Sequence, residues 1–471
     1  MVELRHQQRT VWEGWFPGEV EGWWEQWMKS VDPVLDDAEL LEAVYEAQGR
    51  RWPNSRRQGR KQTPAEVTLR LAVLKHMRNW SFEETEREVR ANLVYRQFTR
   101  IGAEKVPDAK TMGRLVQALG PEVVKQIHQR LIEVAQQKKV VRGRKLRIDT
   151  TVVETNIHYP TDSSLLGDGA RVLTRTMKKI TKLTGRAGLR LRDRMRSIGR
   201  RVLEIARTSR GKGPQMQEKM KQGYRQLLTA TRKVVNQAKR FREEMASGVK
   251  RAVDRNQKAV LQALRGDLET MLPRVQQVLR QAKARVLGGD VHVPEKLVSV
   301  FEPSSEVIRR GKASKPTEFG KMVKIQEAEN QIVTDYEVFE KRPSDSDLLV
   351  PAVQKHQEQF GRVPKLVAGD ASFYSRTNER ELAEMGVKQI SVPSRSTKNP
   401  ERRRQQKKRS FRKGQRWRTG SEGRISVLKR RHGLHRCRYR GDAGMQRWVG
   451  WGVIADNLIN IGRFLMVKDT G

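Results

Sequence analysis

The sequence predicts an α/β protein: a mixed sheet flanked by helices, with an all-helical region before it and a helical insertion within it. Three observations predict that architecture. Segments of β-type composition recur at 144–159, 321–339, 365–375 and 387–394. The stretches from 64 to about 138 and from about 170 to 287 read as helices instead. At 471 residues the chain is long enough for two or three domains of about 100–200 residues each. Strands alternating with helices build layered α/β folds.

The elements follow in order. Residues 1–60 form a Trp-rich segment that ends in the basic linker RRWPNSRRQGRKQTP. From Pro64, AEVTLRLAVLKHMRN spaces its apolar residues by three and four, the signature of a helix with a buried face. Ser81 followed by Glu84 is a capping box that opens a second helix. NLVYRQFTRIG gives a third, and Asp108 and Pro121 start two more. Short basic helices joined by tight turns make 61–140 compatible with a helix-turn-helix DNA reader, the alternative being a structural bundle.

Residues 141–168 hold the first strand, within KLRIDTTVVETNIHYPTD. Residues 169–292 form a basic helical insertion, broken at GRAG (185–188), RGKGP (210–214) and Gly248, too often for a coiled coil. Its repeated positive faces would lie along phosphates, the alternative being a solvated charged surface. Residues 293–471 return to the α/β pattern. KMVKIQEAENQIVTDYEVF (321–339) has a hairpin tip at Glu329-Asn330, and a helix runs from Ser346 to Phe360. A strand then ends at Asp370, a helix covers 377–386, and another strand 387–394. Residues 395–416, with ERRRQQKKRSFRKGQR, read as a basic loop that places Arg402, Arg403, Lys407 and Lys408 on a nucleic-acid backbone. Two helices near 417–434 and 446–467 finish the chain.

Charge sets the partner class. Against 54 Asp+Glu stand 96 Lys+Arg, a formal net charge of +42. A surface that basic calls for a polyanion, nucleic acid above all. The single cysteine, Cys437, excludes an internal disulfide framework and fits a reducing compartment. MVELRHQQRT carries no apolar signal core, and the apolar stretch 448–467 is interrupted by Asp456, Asn457, Asn460 and Arg463. A cytoplasmic, nucleoid-associated protein with no membrane contact is expected.

Two aspartates at comparable places on separate strands suggest one site. Asp370 ends its strand, where α/β sheets tend to place ligand-binding groups, and Asp149 shares the site if the strands are neighbours. Clustered carboxylates repel, and Mg²⁺ or Mn²⁺ is the usual oxygen-loving answer. Two such ions would stabilise both the attacking and the leaving oxygen of a phosphoryl displacement. For a third acid, Glu154 falls on the opposite face of the strand from Asp149, and Glu381 and Glu384 decorate a helix surface. Glu422 is the better candidate. It stands among Arg418, Arg424 and Lys429, and Lys429, seven residues on, shares its helix face. A surface salt-bridge cluster would look the same from sequence.

RIDTTVVETNIHYPTDSSLL, EFGKMV, GDASFYSRTNERE and RTGSEGRISVLKRRHGL resemble bacterial insertion-sequence transposases of the DDE type, nearest to the ISNCY-like group. The likeness runs through about residues 60–467. It implies an RNase H-like catalytic fold interrupted by an insertion, with Asp149, Asp370 and Glu422 as the acidic triad holding two divalent ions. It further implies cleavage at the terminal inverted repeats of a mobile element, attack of the freed 3′-hydroxyl on target DNA, and at least a dimer to hold two ends. The family's spacing of Tyr, Arg, Glu and Lys is met by Arg418, Glu422 and Lys429, while Gln415 stands at the tyrosine position. A flipped base would then lack that stacking ring or use Trp417 instead. A non-cutting, domesticated DNA-binding protein on the same fold is the alternative, and an RNA-associated structural protein a third reading. His432, His435 and Cys437 fall short of a four-ligand zinc set. Ser372 and Tyr374 have no visible base partner.

Overall fold

The computed structural model describes residues 1–5, 17–51, 54, 61–184, 190–211, 213–248, 255–309, 317–395 and 397–469. Most of the basic linker within 50–64, and the break at GRAG (185–188), lie outside the described residues. The chain divides into two compact units, Met1–Asn156 with Gly320–Gly471, and Ile157–Phe319.

In the larger unit, helices begin earlier than expected, with α1 (Pro17–Gly22), α2 (Gln26–Leu35) and α3 (Ala38–Gly49). The signal was present in α2, where Met28, Val31, Val34 and Leu35 step by three and four and are all buried. Five more helices follow: α4 (Ala65–Arg78), α5 (Phe82–Ala91), α6 (Leu93–Phe98), α7 (Ala109–Ala118) and α8 (Gly120–Gln137). The segments expected as 1–60 and 61–140 share one apolar core, which also takes in Trp451, Ile454, Leu458 and Ile461 from near the chain's end. α4 lies at its centre and is buried on every side from Ala65 to Met77. Its fully buried Arg70 is neutralised by Asp32 of α2 at 2.6 Å and by Asp36, just past the end of α2, at 2.7 Å.

The same helix buries a second cation. The Lys75 ammonium lies over the rings of Phe82, Tyr439 and Trp448, at 4.8, 5.3 and 5.0 Å from their centroids. Burial, aided by the nearby Arg438 charge, pushes the lysine down to about 7. In the unfolded chain it holds its proton to about pH 10. Between those values the unfolded state binds more protons, so stability should rise with pH by up to about 1.4 kcal/mol per unit. Lys75→Met is expected to flatten that rise in urea melts from pH 7 to 10; an unchanged slope would contradict this account.

The sheet of this unit is centred on β1 (Lys145–Glu154). β1 runs antiparallel to β3 (Thr317–Glu327), with Asp149 opposite Ile325, and parallel to β5 (Leu366–Ala368). β5 pairs in parallel with β6 (Gln389–Ser391), and β4 (Val333–Val338) folds back antiparallel on β3. The turn between β3 and β4 is Glu329–Gln331, with Asn330 left-handed at φ 55°. β2 (Glu306–Arg309) falls in the second unit, and within the larger unit the strand order is β3–β1–β5–β6, with β4 also lying on β3. Strand parity divides its two faces. Leu146 and Ile148 pack with Leu349 and Val353 of α13 (Leu349–Phe360) and Leu382 of α14 (Arg376–Glu384). Val153 and Ile325 pack instead with Leu428 of α16 (Arg409–Arg431) and Trp448 and Val449 of α17 (Gly441–Asp469). Among the described residues no helix is long and apolar enough to cross a membrane.

The basic loop expected over 395–416 is corrected to helix. α15 (Pro400–Lys407) precedes α16, which starts at Arg409 rather than near 417. Asn399 caps α15, its side chain accepting from the amides of Glu401 and Arg402, and Pro400 follows at the first helical position. That Asn-Pro start was legible, but runs of Arg, Lys and Gln gave no apolar period to extend it.

The second unit has its own core of Leu166, Leu173, Met177, Leu227, Leu268 and Val275. These come from α9 (Asp162–Thr184), α11 (Pro214–Gly248) and α12 (Arg255–Gly288); α10 (Met195–Thr208) adds Ile198 and Ile205. The buried Asp162 at the start of α9 accepts from Gln281 at 3.1 Å and Arg285 at 2.6 Å, locking α9 to α12. The helical insertion expected at 169–292 lies within this unit.

Candidate active site

Register places the two aspartates side by side. The parallel pairing of β1 with β5 ends at Arg147 opposite Ala368, and Asp149 and Asp370 each lie two residues beyond. Asp149 points to the α16 face of the sheet, the face of Arg147 and Val153. Its Oδ1 accepts from the Thr150 amide at 2.8 Å and its Oδ2 from the Ser421 hydroxyl at 3.1 Å. Burial pushes its carboxyl above the ordinary value; Arg418 and these hydrogen bonds oppose the shift, and Asp370 adds to it. Asp370 caps a short 3₁₀ turn, Ala371–Phe373, by accepting from the Ser372 amide.

Glu422 arrives from α16. One residue of the same helix joins all three acids. The Arg418 guanidinium lies 3.3 Å from Asp149, 3.7 Å from Asp370 and 2.7 Å from Glu422. The acids grade outward, with side-chain exposures of 14%, 28% and 61% for Asp149, Asp370 and Glu422, so the site opens toward solvent at the glutamate. All the donors are carboxylate oxygens, which suits Mg²⁺ or Mn²⁺. In the arrangement seen, a guanidinium supplies the positive charge, and no group of three or more His, Cys, Asp or Glu among the described residues is spaced to hold a metal ion.

Beneath the site lies a buried polar network that fixes α16 on the sheet. Arg147 of β1 donates its Nε to Glu327 of β3 at 2.9 Å and an Nη to the Trp417 carbonyl at 2.5 Å. The same guanidinium lies 4.9 Å from the Trp417 ring centroid, so that ring is half-buried against a cation. Farther along α16, Arg424 grips Asp456 of α17 at 2.7 and 2.9 Å and also bonds Gln331. Gln415 donates to the carbonyls of Gly369 and Ser391 at the ends of β5 and β6. It brackets the helix to the sheet beside Asp370.

Several expected nucleic-acid contacts are therefore placed elsewhere. Arg402 is buried and bonds Glu379 and the Val392 carbonyl, and Arg424 is buried on Asp456. Arg403, Lys407 and Lys408 are exposed, and Lys429 is half-buried. Glu154 is buried 3.7 Å from Arg436, off the acid cluster. Ser421, Arg147, Glu327 and Asp456 were missed from sequence. Arg147 was the readable one, a charge inside an apolar strand two residues from Asp149.

The glycines flanking Glu422 differ. A Cβ on Gly420 would run into the Arg147 guanidinium, already held by Glu327 and Trp417, whereas Gly423 has no such neighbour within 4 Å. Alanine normally stabilises a helix interior by about 1 kcal/mol over glycine. Gly423→Ala should gain roughly that amount, and Gly420→Ala should lose stability in the same denaturant titration. Equal gains would mean that Arg147 is not locked.

Two stretches match known families. Residues 25–118 match the family described as Transposase domain (DUF772), and residues 380–461 match Transposase DDE domain. No curated protein and no solved structure matches the chain. The two matches support an insertion-sequence DDE transposase, an enzyme class that cuts and transfers strands of DNA.

Proposed function

We propose that this transposase binds the terminal inverted repeats of its insertion sequence and cuts and joins DNA on an RNase H-like core. The catalytic residues would be Asp149, Asp370 and Glu422. The observation that carries the reading is the convergence of these three carboxylates, from a central strand, a neighbouring strand end and a helix, on one guanidinium. The same three side chains would hold Mg²⁺ or Mn²⁺. When bound, a pair of such ions stabilises the attacking and leaving oxygens of an in-line phosphoryl displacement.

The chain's own groups do the positioning. The Thr150 amide and the Ser421 hydroxyl orient the Asp149 carboxylate from opposite oxygens. Gln415 holds α16 against the strand ends, and the Arg147–Glu327 pair fixes the turn of helix before Glu422. Arg418 occupies the centre of the acids, so cation entry requires it to swing outward, where its fork would meet an incoming phosphate. Holding two element ends together would call for at least a dimer.

The test is a nicking assay on DNA that carries the sequences flanking the protein's own gene, with Mn²⁺ or Mg²⁺. Cleavage is expected, with loss on chelation and in Glu422→Gln. Full cleavage by that variant would remove Glu422 from the site.

A further inference from the structure

We infer that a basic cleft next to the acid site seats the phosphodiester backbone of duplex DNA a few nucleotides from the position where a strand would be cut. The cleft, of about 910 Å³, is lined by Lys429, Arg430, Arg436, Arg438, His435 and Asn79, with no acidic residue among its lining side chains. Arg430, Arg436 and Arg438 are exposed, so their charges face incoming ligand. A concave surface walled by cations focuses the field on an anion and favours repeated, closely spaced negative charge.

Two elements shared with the acids fix where this cleft lies. On α16, Ser426 and Lys429 follow Glu422 by four and seven residues, and both line the cleft. Those steps carry the helix about 6 and 10 Å from the glutamate. The other wall is tied to β1. The Glu154 amide donates to the His435 carbonyl at 3.2 Å, and the Cys437 amide to the Glu154 carbonyl at 2.8 Å. Glu154 is five residues past Asp149 on the same strand, about 17 Å at strand rise. The cleft thus spans roughly 6–17 Å from the acids. At about 3.4 Å of duplex rise per nucleotide, that is some two to five nucleotides. Arg436 keeps a 3.7 Å contact with Glu154, and Arg438 donates to the Asn79 carbonyl at 3.2 Å, so both are aimed before ligand arrives.

The inference deepens the proposed function and rests on it only for the meaning of the spacing. Its test needs no cleavage. Binding of a fluorescent 30-base-pair duplex of arbitrary sequence is measured by polarisation from 50 to 200 mM salt. Arg430→Ala/Arg436→Ala should reduce the slope of log affinity against log salt by about 1.8, which is two phosphate contacts. A control pair just before β5, at the end of that strand away from Asp370, Arg362→Ala/Lys365→Ala, should leave the slope near wild type. Arg436→Lys, which keeps the charge, should restore part of the loss when combined with wild-type Arg430. An unchanged slope in the cleft variant, or an equal drop in the control, would overturn the seat. Stronger binding of an RNA duplex than of DNA would overturn its ligand. If the cleft variant loses its slope while the protein never nicks DNA, the catalytic reading fails and the cleft stands.

Discussion

Asp149→Asn is expected to abolish metal-dependent strand cleavage while leaving folding and DNA binding intact. Asparagine keeps the shape and one carbonyl oxygen to accept from the Thr150 amide, with its amino group turned to the Ser421 hydroxyl oxygen, but it removes the negative charge that a divalent ion needs. The loss should exceed the roughly 10–100-fold typical of removing a group that only orients a metal ligand. Ser421→Ala, which deletes the hydroxyl on Asp149 Oδ2 together with its bond to the Arg418 carbonyl, should fall within that smaller range. Binding to duplex DNA measured beside cleavage separates the outcomes. If Asp149→Asn loses binding and melts early, the residue is holding the fold; if it cuts like wild type, the acid assignment fails.

The second large effect concerns stability. Asp456 is 2% exposed and accepts two hydrogen bonds from Arg424, itself 5% exposed. Asp456→Leu would strand a buried guanidinium, a change that costs about 3–5 kcal/mol. Arg424→Met/Asp456→Leu removes both charges and should recover much of that loss, because well-packed apolar pairs can replace buried ion pairs at little cost. Urea denaturation of the two single variants and the double variant closes the cycle. Additive losses would show that the two side chains do not stabilise the fold through each other. The activity of the double variant is also informative. Arg424 lies two residues past Glu422, so slackening there should reduce cleavage before it reduces DNA binding.

What could be read from the sequence follows from how local each signal is. The strands bearing Asp149 and Asp370 announced themselves by composition, and their adjacency is what the β1–β5 register shows. The capping box at Ser81 and Glu84 needed only four residues, and both of its hydrogen bonds are present. Long cations were harder. Arg402 and Arg424 looked like surface charge because their counter-charges, Glu379 and Asp456, lie 23 and 32 residues away in the chain. Gln415 looked like a missing ring; only the folded sheet supplies the two carbonyls it bonds. The first helices went unread because their partners on the far side of the core come from the other end of the chain.

That last point reaches into synthesis. The core around α2, α4 and α8 is completed by Trp451, Ile454, Leu458 and Ile461, more than three hundred residues after α8. Asp456, on the same turn of α17, also anchors the helix that bears Glu422. A growing chain can close the second unit first, since that unit has its own core. The larger unit cannot close until α17 leaves the ribosome. If the chain cuts DNA as proposed, that competence would begin only once α17 has been made and has joined the core.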